Sequence, residues 1–289
     1  MIKVYLNELL EFFDVVPNQL TVTAIKALIS AMEDEKLICR EKQKIVMDEK
    51  QFYMIWNIYY GSLNYFDPNY NRKTDFKLFF KYIIQAHIRN DKINFLALFC
   101  PGYTRHGYKN ILGSTTKWKL KELKNISNYL SEKKIKNEIN CYYSDVFLEN
   151  TNDSINKNWK SEMEYNKYLF HKEGEKYFDS SFIKDASQLE IFKGSKNVEG
   201  YIDANIIKSL NARTYHAFKK SNEKFYKQLD FSEEQMIFRN DRLITMYKLL
   251  SNYINQQKNT IFLPMENMYE RENIFSENNT CTMYLKLKK

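Results

Sequence analysis

Apolar residues along this chain recur with two different periods, and the switch between them predicts a layered α/β protein. Near the N-terminus Leu20, Ile25, Leu28, Ile29, Met32 and Leu37 fall at three- and four-residue steps, the spacing of one helix face, with Thr21 or Thr23 placed to cap its start. The following stretch, Ile45–Tyr60, is rich in apolar and aromatic residues but fits neither period cleanly. Gly61-Ser62 and Asp67-Pro68-Asn69 then supply turn chemistry. Residues 1–70 therefore read as an N-terminal helical subdomain.

From Asp75 the pattern sharpens. Phe76, Phe79, Phe80, Ile83 and Ile84 form a helical stripe, Asn90-Asp91 interrupts it, and Ile93–Cys100 is an apolar run of strand length. Trp118, Leu120, Leu123, Ile126 and Leu130 repeat the helical spacing, and Ile139–Leu148 is strand-like through Cys141-Tyr142-Tyr143 and Val146-Phe147. Strand, helix and strand in this order make a βαβ unit with a right-handed crossover. After a polar, Asn-rich loop at 150–158, Trp159–Phe170 reads as a helix and Leu189–Phe192 as a short strand. Asp203–Leu229 and Ser232–Ile254 read as longer helices, and Thr260–Leu263 and Thr280–Leu287 as closing strands. The expected fold is a Rossmann-like open sheet flanked by helices over residues 71–289. An alternative for residues 1–70 is a winged-helix-like unit that touches nucleic acid through Lys36, Arg40, Lys42 and Lys44. Glu33, Asp34, Glu35 and Glu41 interrupt that basic set, and mixed charge is the ordinary mark of a solvated face.

Composition narrows the class. With 289 residues and 44% hydrophobic content the chain can bury the core of one large domain or two smaller ones, which excludes intrinsic disorder. Cys39, Cys100, Cys141 and Cys281 form no CxxC pair and no Cys/His spacing that a zinc site needs, so they read as reduced thiols, and no metal or cofactor is expected. Met1–Phe13 has neither a basic start nor a small-residue cleavage site, and no apolar run approaches the ~18 residues of a membrane span. The expectation is a cytoplasmic protein without a membrane partner. A formal net charge of +8 allows a polyanionic partner to be steered in without specifying one.

Candidate chemistry concentrates after the Ile93–Cys100 run, in Cys100-Pro101-Gly102-Tyr103-Thr104-Arg105-His106-Gly107-Tyr108-Lys109 and the adjoining Leu112-Gly113-Ser114-Thr115-Thr116. Gly102, Gly107 and Gly113 are three of the chain's seven glycines. A buried strand that breaks into a glycine-containing loop and feeds a helix presents backbone N–H groups at the sheet's carboxyl edge, where open α/β sheets bind ligands. Arg105 and Lys109 would hold a phosphate or carboxylate there, with Tyr103, Thr115 and Thr116 adding hydroxyls, His106 relaying protons and Cys100 supplying a thiol. Neither GxxxxGK[ST] nor GxGxxG occurs in the loop, so it is not a Walker loop or a dinucleotide fingerprint. Ser144-Asp145 ends the next presumed strand, and Asp145 would face the same crevice as a base or as the group that orients an amine. Arg242 and Glu266 are further candidates. The bland alternatives are a plain connecting loop, a turn-forming Asp145 and structural ion pairs for Arg242 and Glu266.

The run from Asp91 to Leu123, with Pro101, Lys109 and Leu112-Gly113 in order and Ser144-Asp145 and Phe147 some thirty residues on, resembles the isocyanide (isonitrile) synthase family. In that family a buried strand ends in a Phe-Pro-Phe-Lys-type loop, continues to a Lys-Val-Leu-Gly segment, and the next strand ends in Ser-Asp-Gly. The resemblance covers residues ~90–150, with Arg242-Leu243 as the counterpart of a later Arg-Leu-Ser segment. It implies a Rossmann-like enzyme that condenses an amino acid's α-amine with a sugar-phosphate carbonyl and converts the nitrogen to an isonitrile. Carried over by position, Lys109 would contact the phosphate or the carbonyl-bearing sugar, and Asp145 would lie in the site. His106 is assigned from local chemistry alone. The chain departs from the pattern at Thr104-Arg105, where the family has Lys, at Val146, where it has Gly, and at Ile244-Thr245. A second likeness, of Phe99-Cys100-Pro101-Gly102 to the Ile-Ser-Pro loop of cyclodipeptide synthases, would make Cys100 a nucleophile that takes an aminoacyl group from tRNA. A nucleic-acid-binding or interaction protein built on the N-terminal helices is the non-enzymatic alternative.

Overall fold

A computed structural model of the chain describes residues 1–12, 19–66, 73–99, 103–104, 107–108, 114–148, 159–193, 201–227, 231–265 and 272–286. The elements run β1 (Ile2–Val4), α1 (Leu6–Phe12), α2 (Gln19–Asp34), β2 (Cys39–Glu41), β3 (Lys44–Met47), α3 (Glu49–Tyr65), α4 (Lys73–Arg89) and β4 (Ile93–Phe99). They continue as β5 (Tyr103–Thr104), β6 (Gly107–Tyr108), α5 (Ser114–Glu132), β7 (Asn137–Tyr143), α6 (Asp145–Leu148), α7 (Trp159–Gly174) and β8 (Ile183–Asp185). The remainder is α8 (Ala204–Ser209), α9 (Ala212–Lys227), α10 (Glu233–Gln256), β9 (Thr260–Pro264) and α11 (Glu272–Glu277). Contacts divide the chain into a first unit of Met1–Asn94, Asn125–Glu138 and Cys281–Lys289 and a second of Phe95–Lys124 and Ile139–Thr280. This differs from a cut at residue 70. The stripe of α4 packs on α2, and the C-terminal segment returns to this unit, where the Lys286 N–H donates to the Tyr65 carbonyl at 2.8 Å and the Thr282 N–H to Asp75 at 3.2 Å.

The second unit carries a four-stranded parallel sheet in the order β8-β7-β4-β9, flanked by helices. In chain order these are the third, second, first and fourth strands, the order of the first four strands of a Rossmann sheet. The Ser144 N–H donates to the Phe99 carbonyl at 2.8 Å, and Cys141↔Ile183 to Tyr143↔Asp185 set the β7–β8 register. Alternation along β4 explains why both faces are covered. Leu96 and Leu98 point with Tyr142 and Phe262 into a core completed by Phe147, Phe218, Tyr247 and Phe275. The opposite face places Phe99 and Tyr143 against Phe170 of α7, with ring centres 5.1 and 5.8 Å apart. Aromatic pairs of this kind add ~0.5–1.5 kcal/mol each to their area burial.

Several expected elements change identity. The Asp203–Leu229 helix is broken at Leu210-Asn211, where Asn211 Oδ1 accepts the Arg213 N–H at 2.8 Å and starts α9 anew. Leu189–Phe192, expected as a strand, forms a turn of 3-10 helix at Glu190–Phe192, and the true edge strand is the three-residue β8. Over the described part of the expected C-terminal strand, Thr282 and Leu285 make only isolated bridges, Leu285 with Phe66.

The first unit is not wholly helical. β1, β3 and β2 form a small antiparallel sheet in that order, and with α1 and α2 they make the layout of a winged helix. Its hairpin turns through Lys42 and Gln43 at φ 45° and 72°, left-handed values that usually call for Gly or Asn. Of the basic set expected to touch nucleic acid, Lys36 and Lys42 are exposed, while Arg40 and Lys44 are engaged within the unit. In a winged helix α2 would enter the groove, but Ala24, Ile25, Ala27, Leu28, Ile29, Ala31 and Met32 are at most 1% exposed. Arg40 pairs with Glu33, Lys3 with Glu41 at 2.7 Å, and Lys44 lies over the Tyr5 ring at 4.7 Å.

Gly61 fixes how closely α3 and α5 approach: a Cβ there would lie 1.7 Å from the Tyr129 hydroxyl oxygen and 1.9 Å from the ring carbon that bears it. The same hydroxyl donates to the Asn57 carbonyl at 2.6 Å. Gly61→Ala is expected to cost ~1–3 kcal/mol by forcing the ring out of place, while Tyr129→Phe, which keeps the ring and loses only one hydrogen bond, costs ~0.5–1.5 kcal/mol. Urea unfolding of both variants measures the difference.

Candidate functional site

Strands β7 and β8 end side by side, and each runs directly into polar residues. Ser144 is fully buried and Asp145, which opens α6, is 6% exposed. The Asp145 carboxylate accepts the Ser187 backbone N–H at 3.0 Å and also the Ser187 hydroxyl. Burial pushes the Asp145 carboxyl above the usual carboxylate range, the Ser187 hydrogen bonds pull it back in part, and the like charge of Asp185 adds to the rise.

Asp185, the last residue of β8, accepts from His171 Nε2 of α7 at 2.8 Å and has Lys167 Nζ, one helical turn earlier, at 3.7 Å. Lys167 also donates to Glu164 at 2.8 Å. Burial alone would lower the Lys167 ammonium, but the Glu164 hydrogen bond and the charges of Asp185 and Asp145 outweigh it and raise it. His171, Asp185 and Lys167 side chains keep 29, 14 and 23% of their surface exposed, so they are sheltered and reachable. A carboxylate that orients an imidazole, beside an ammonium and a second, buried carboxylate, has the chemistry to move protons to and from an amine or carbonyl. Among the described residues no group of three or more His, Cys, Asp and Glu side chains is arranged to hold a metal ion.

The expected site residues that the structure describes lie on several elements. Asp145 lies at the strand end where it was expected. Tyr103 belongs to β5, paired with β6, and β6 packs against α7, the helix that bears Lys167 and His171. Arg242 is a buried side chain of α10, just over a turn before Tyr247, whose ring stacks on Phe147 of α6 at 4.8 Å. Thr115 is exposed in the first turn of α5, and Thr116 is buried. Cys100, Arg105, His106, Lys109 and Glu266 lie outside the described residues. Lys167, His171, Asp185 and Ser187 did not emerge from the sequence. Ile183-Lys184-Asp185-Ala186-Ser187 repeats the strand-then-acid pattern of Tyr143-Ser144-Asp145, but a three-residue strand carries too little apolar periodicity to be recognised.

No family model matches this sequence, and no curated protein matches it significantly. Among solved structures the chain is similar to CDPS from Staphylococcus haemolyticus, at 12% identity over 72% of this chain and 96% of that one, with a TM-score of 0.46. It is also similar to the PvcA protein from Pseudomonas aeruginosa, at 10% identity over 77% of this chain and 80% of that one, with a TM-score of 0.48.

The environment of Asp145 sets the sign of a pH effect. An acid whose folded pKa is raised favours the protonated form, so its contribution to stability is greatest below the unfolded carboxylate range and is lost as pH rises through the folded value. Asp145→Asn keeps an acceptor for the Ser187 N–H and removes the buried charge. The variant is expected to gain stability relative to wild type as pH rises from 4 toward 7, measured as the difference in urea midpoints; a stability gap that does not change with pH contradicts this account.

Proposed function

We propose that this chain is a biosynthetic transferase that condenses the amine of an amino-acid substrate with a phosphorylated carbonyl compound, as in the isonitrile synthases its 90–150 segment resembles. One observation carries the proposal: Asp145, Ser187, Asp185, His171 and Lys167 gather at the carboxyl edge of a parallel sheet, where such folds bind ligands. Condensation of an amine with a carbonyl requires a neutral amine, a polarised carbonyl and a proton carrier for the departing water. Asp145, with its raised affinity for a proton, takes the proton from the substrate ammonium. The His171–Asp185 pair returns one to the carbonyl oxygen. Arg105 and Lys109 of the loop after β4 hold the phosphate.

A second reading, transfer of an aminoacyl group from tRNA, is favoured by a different surface. His216, Lys219, Lys220 and Lys227 line a cleft of about 570 Å³ between α9 and α10, opposed by Glu223 and Glu233, and Lys227 is already paired with Glu223 at 2.6 Å. A polyanion would meet a net basic groove there.

Incubation with individual amino acids and ribulose 5-phosphate, followed by product mass analysis, separates the two. A product containing both the amino-acid nitrogen and sugar-derived carbon supports condensation. Tight tRNA binding that collapses with salt, together with loss of activity in Cys100→Ala, supports aminoacyl transfer and refutes condensation. Under the proposal, Asp145→Asn lowers kcat by about 10²- to 10⁴-fold, the usual worth of a general base, while pentose phosphate binding persists; Lys109→Ala weakens that binding instead.

A further inference from the structure

The first unit holds a cleft that this chemistry does not use. It encloses about 660 Å³, within the ~300–1,000 Å³ typical of small-molecule sites. Its floor is apolar, made by Ile58, Ile83, Leu130 and Ile135, all buried. Tyr53 and Met54 of α3, Ile88 of α4 and Tyr129 of α5 complete the lining. Tyr53 and Ile88 are 56 and 49% exposed, two large apolar side chains of the lining presented to water. The Tyr129 hydroxyl is satisfied by the Asn57 carbonyl, so the cleft gains no polar anchor from it.

The rim has a sign. Lys50, Lys133 and His87 line the cleft, and none of them has an ion-pair partner among the described residues; Lys133 lies 5.7 Å from the centre of the Tyr129 ring. Among the described residues the one acidic group of the lining, Asp48, is already engaged: its carboxylate accepts the Gln51 N–H at 2.6 Å and caps α3. That cap takes up the Gln51 N–H, one of the helix N-terminal donors on which a phosphate would draw, and among the described residues no Arg fork lines the cleft. Point-charge ammonium groups over an apolar floor suit a carboxylate with an apolar tail. Covering the floor would return ~25 cal/mol for each Å² of apolar surface removed from water.

We propose that this cleft is a binding site for an amphipathic carboxylate, an aliphatic chain laid over Ile58, Ile83 and Leu130 with its head group at Lys50, Lys133 and His87. The test is calorimetric titration of the full chain with dodecanoate, against dodecanol as the uncharged tail and acetate as the bare head group. Dodecanoate is expected to bind saturably, dodecanol about tenfold or more weaker, and acetate not at all. A Lys50→Glu/Lys133→Glu variant is expected to lose about tenfold or more of the dodecanoate affinity, and Ile88→Asp to lose binding of both chain compounds. These positions are exposed, and circular dichroism checks that the variants fold. Nuclear Overhauser contacts between the dodecanoate chain and the methyl groups of Met54 and Ile88 in the unaltered protein give a readout that needs no substitution. The proposal is overturned by absent or unsaturable binding, by equal affinity for dodecanol, by chain contacts elsewhere, or by light scattering that shows the cleft covered by a second copy and freed by Ile88→Asp.

Discussion

A carboxylate buried at the end of a parallel strand is costly to keep ionised, and the candidate site depends on how Asp145 meets that cost. Two hydrogen bonds from Ser187 offset part of it. Because Ser187 comes after β8 and Asp145 after β7, those bonds also hold the two strand ends together beyond their last ladder pair, Tyr143↔Asp185. The position of Asp185, and through it the orientation of the His171 ring, is set by that junction. The compensation is partial, and the residual proton affinity of Asp145 is the property a base requires.

The sheet supports this edge from both sides. Phe99 and Tyr143 lean on Phe170 of α7, the residue next to His171, so packing of one sheet face fixes the helix that brings the imidazole to Asp185. On the other face Phe147 of α6 stacks on Tyr247 of α10, which anchors the short helix that starts with Asp145. Rigid packing thus sets the geometry of the polar groups, and exposed loops need not.

The first unit has a familiar layout. Its strand order and helices are those of a winged helix, yet α2 packs with α4, and beside the hairpin Lys3 pairs with Glu41 and Arg40 with Glu33. What remains available is the cleft beside α3, where the close approach of Tyr129 to Gly61 sets the wall.

Local signals in the chain were enough to specify the layers and the main strand. The apolar residues of β4, broken only by Asn94, and the helical stripes of α4 and α5 are read directly from residue spacing. Asp145 was legible from the Ser144-Asp145 pair of the second strand-like run, although its last four residues, Asp145–Leu148, form a helix. Long-range packing settled the rest. β8 and the β2–β3 hairpin are too short for periodicity, and the turn at Lys42-Gln43 carries none of the residues that announce one. Lys167 and His171 sit on an amphipathic helix like any other until Phe170 docks on the sheet, and Ser187 is an ordinary serine until parallel pairing lays β8 beside β7. Those partners lie 14 to 42 residues apart in the chain, a separation across which only packing, and no local propensity, brings groups together.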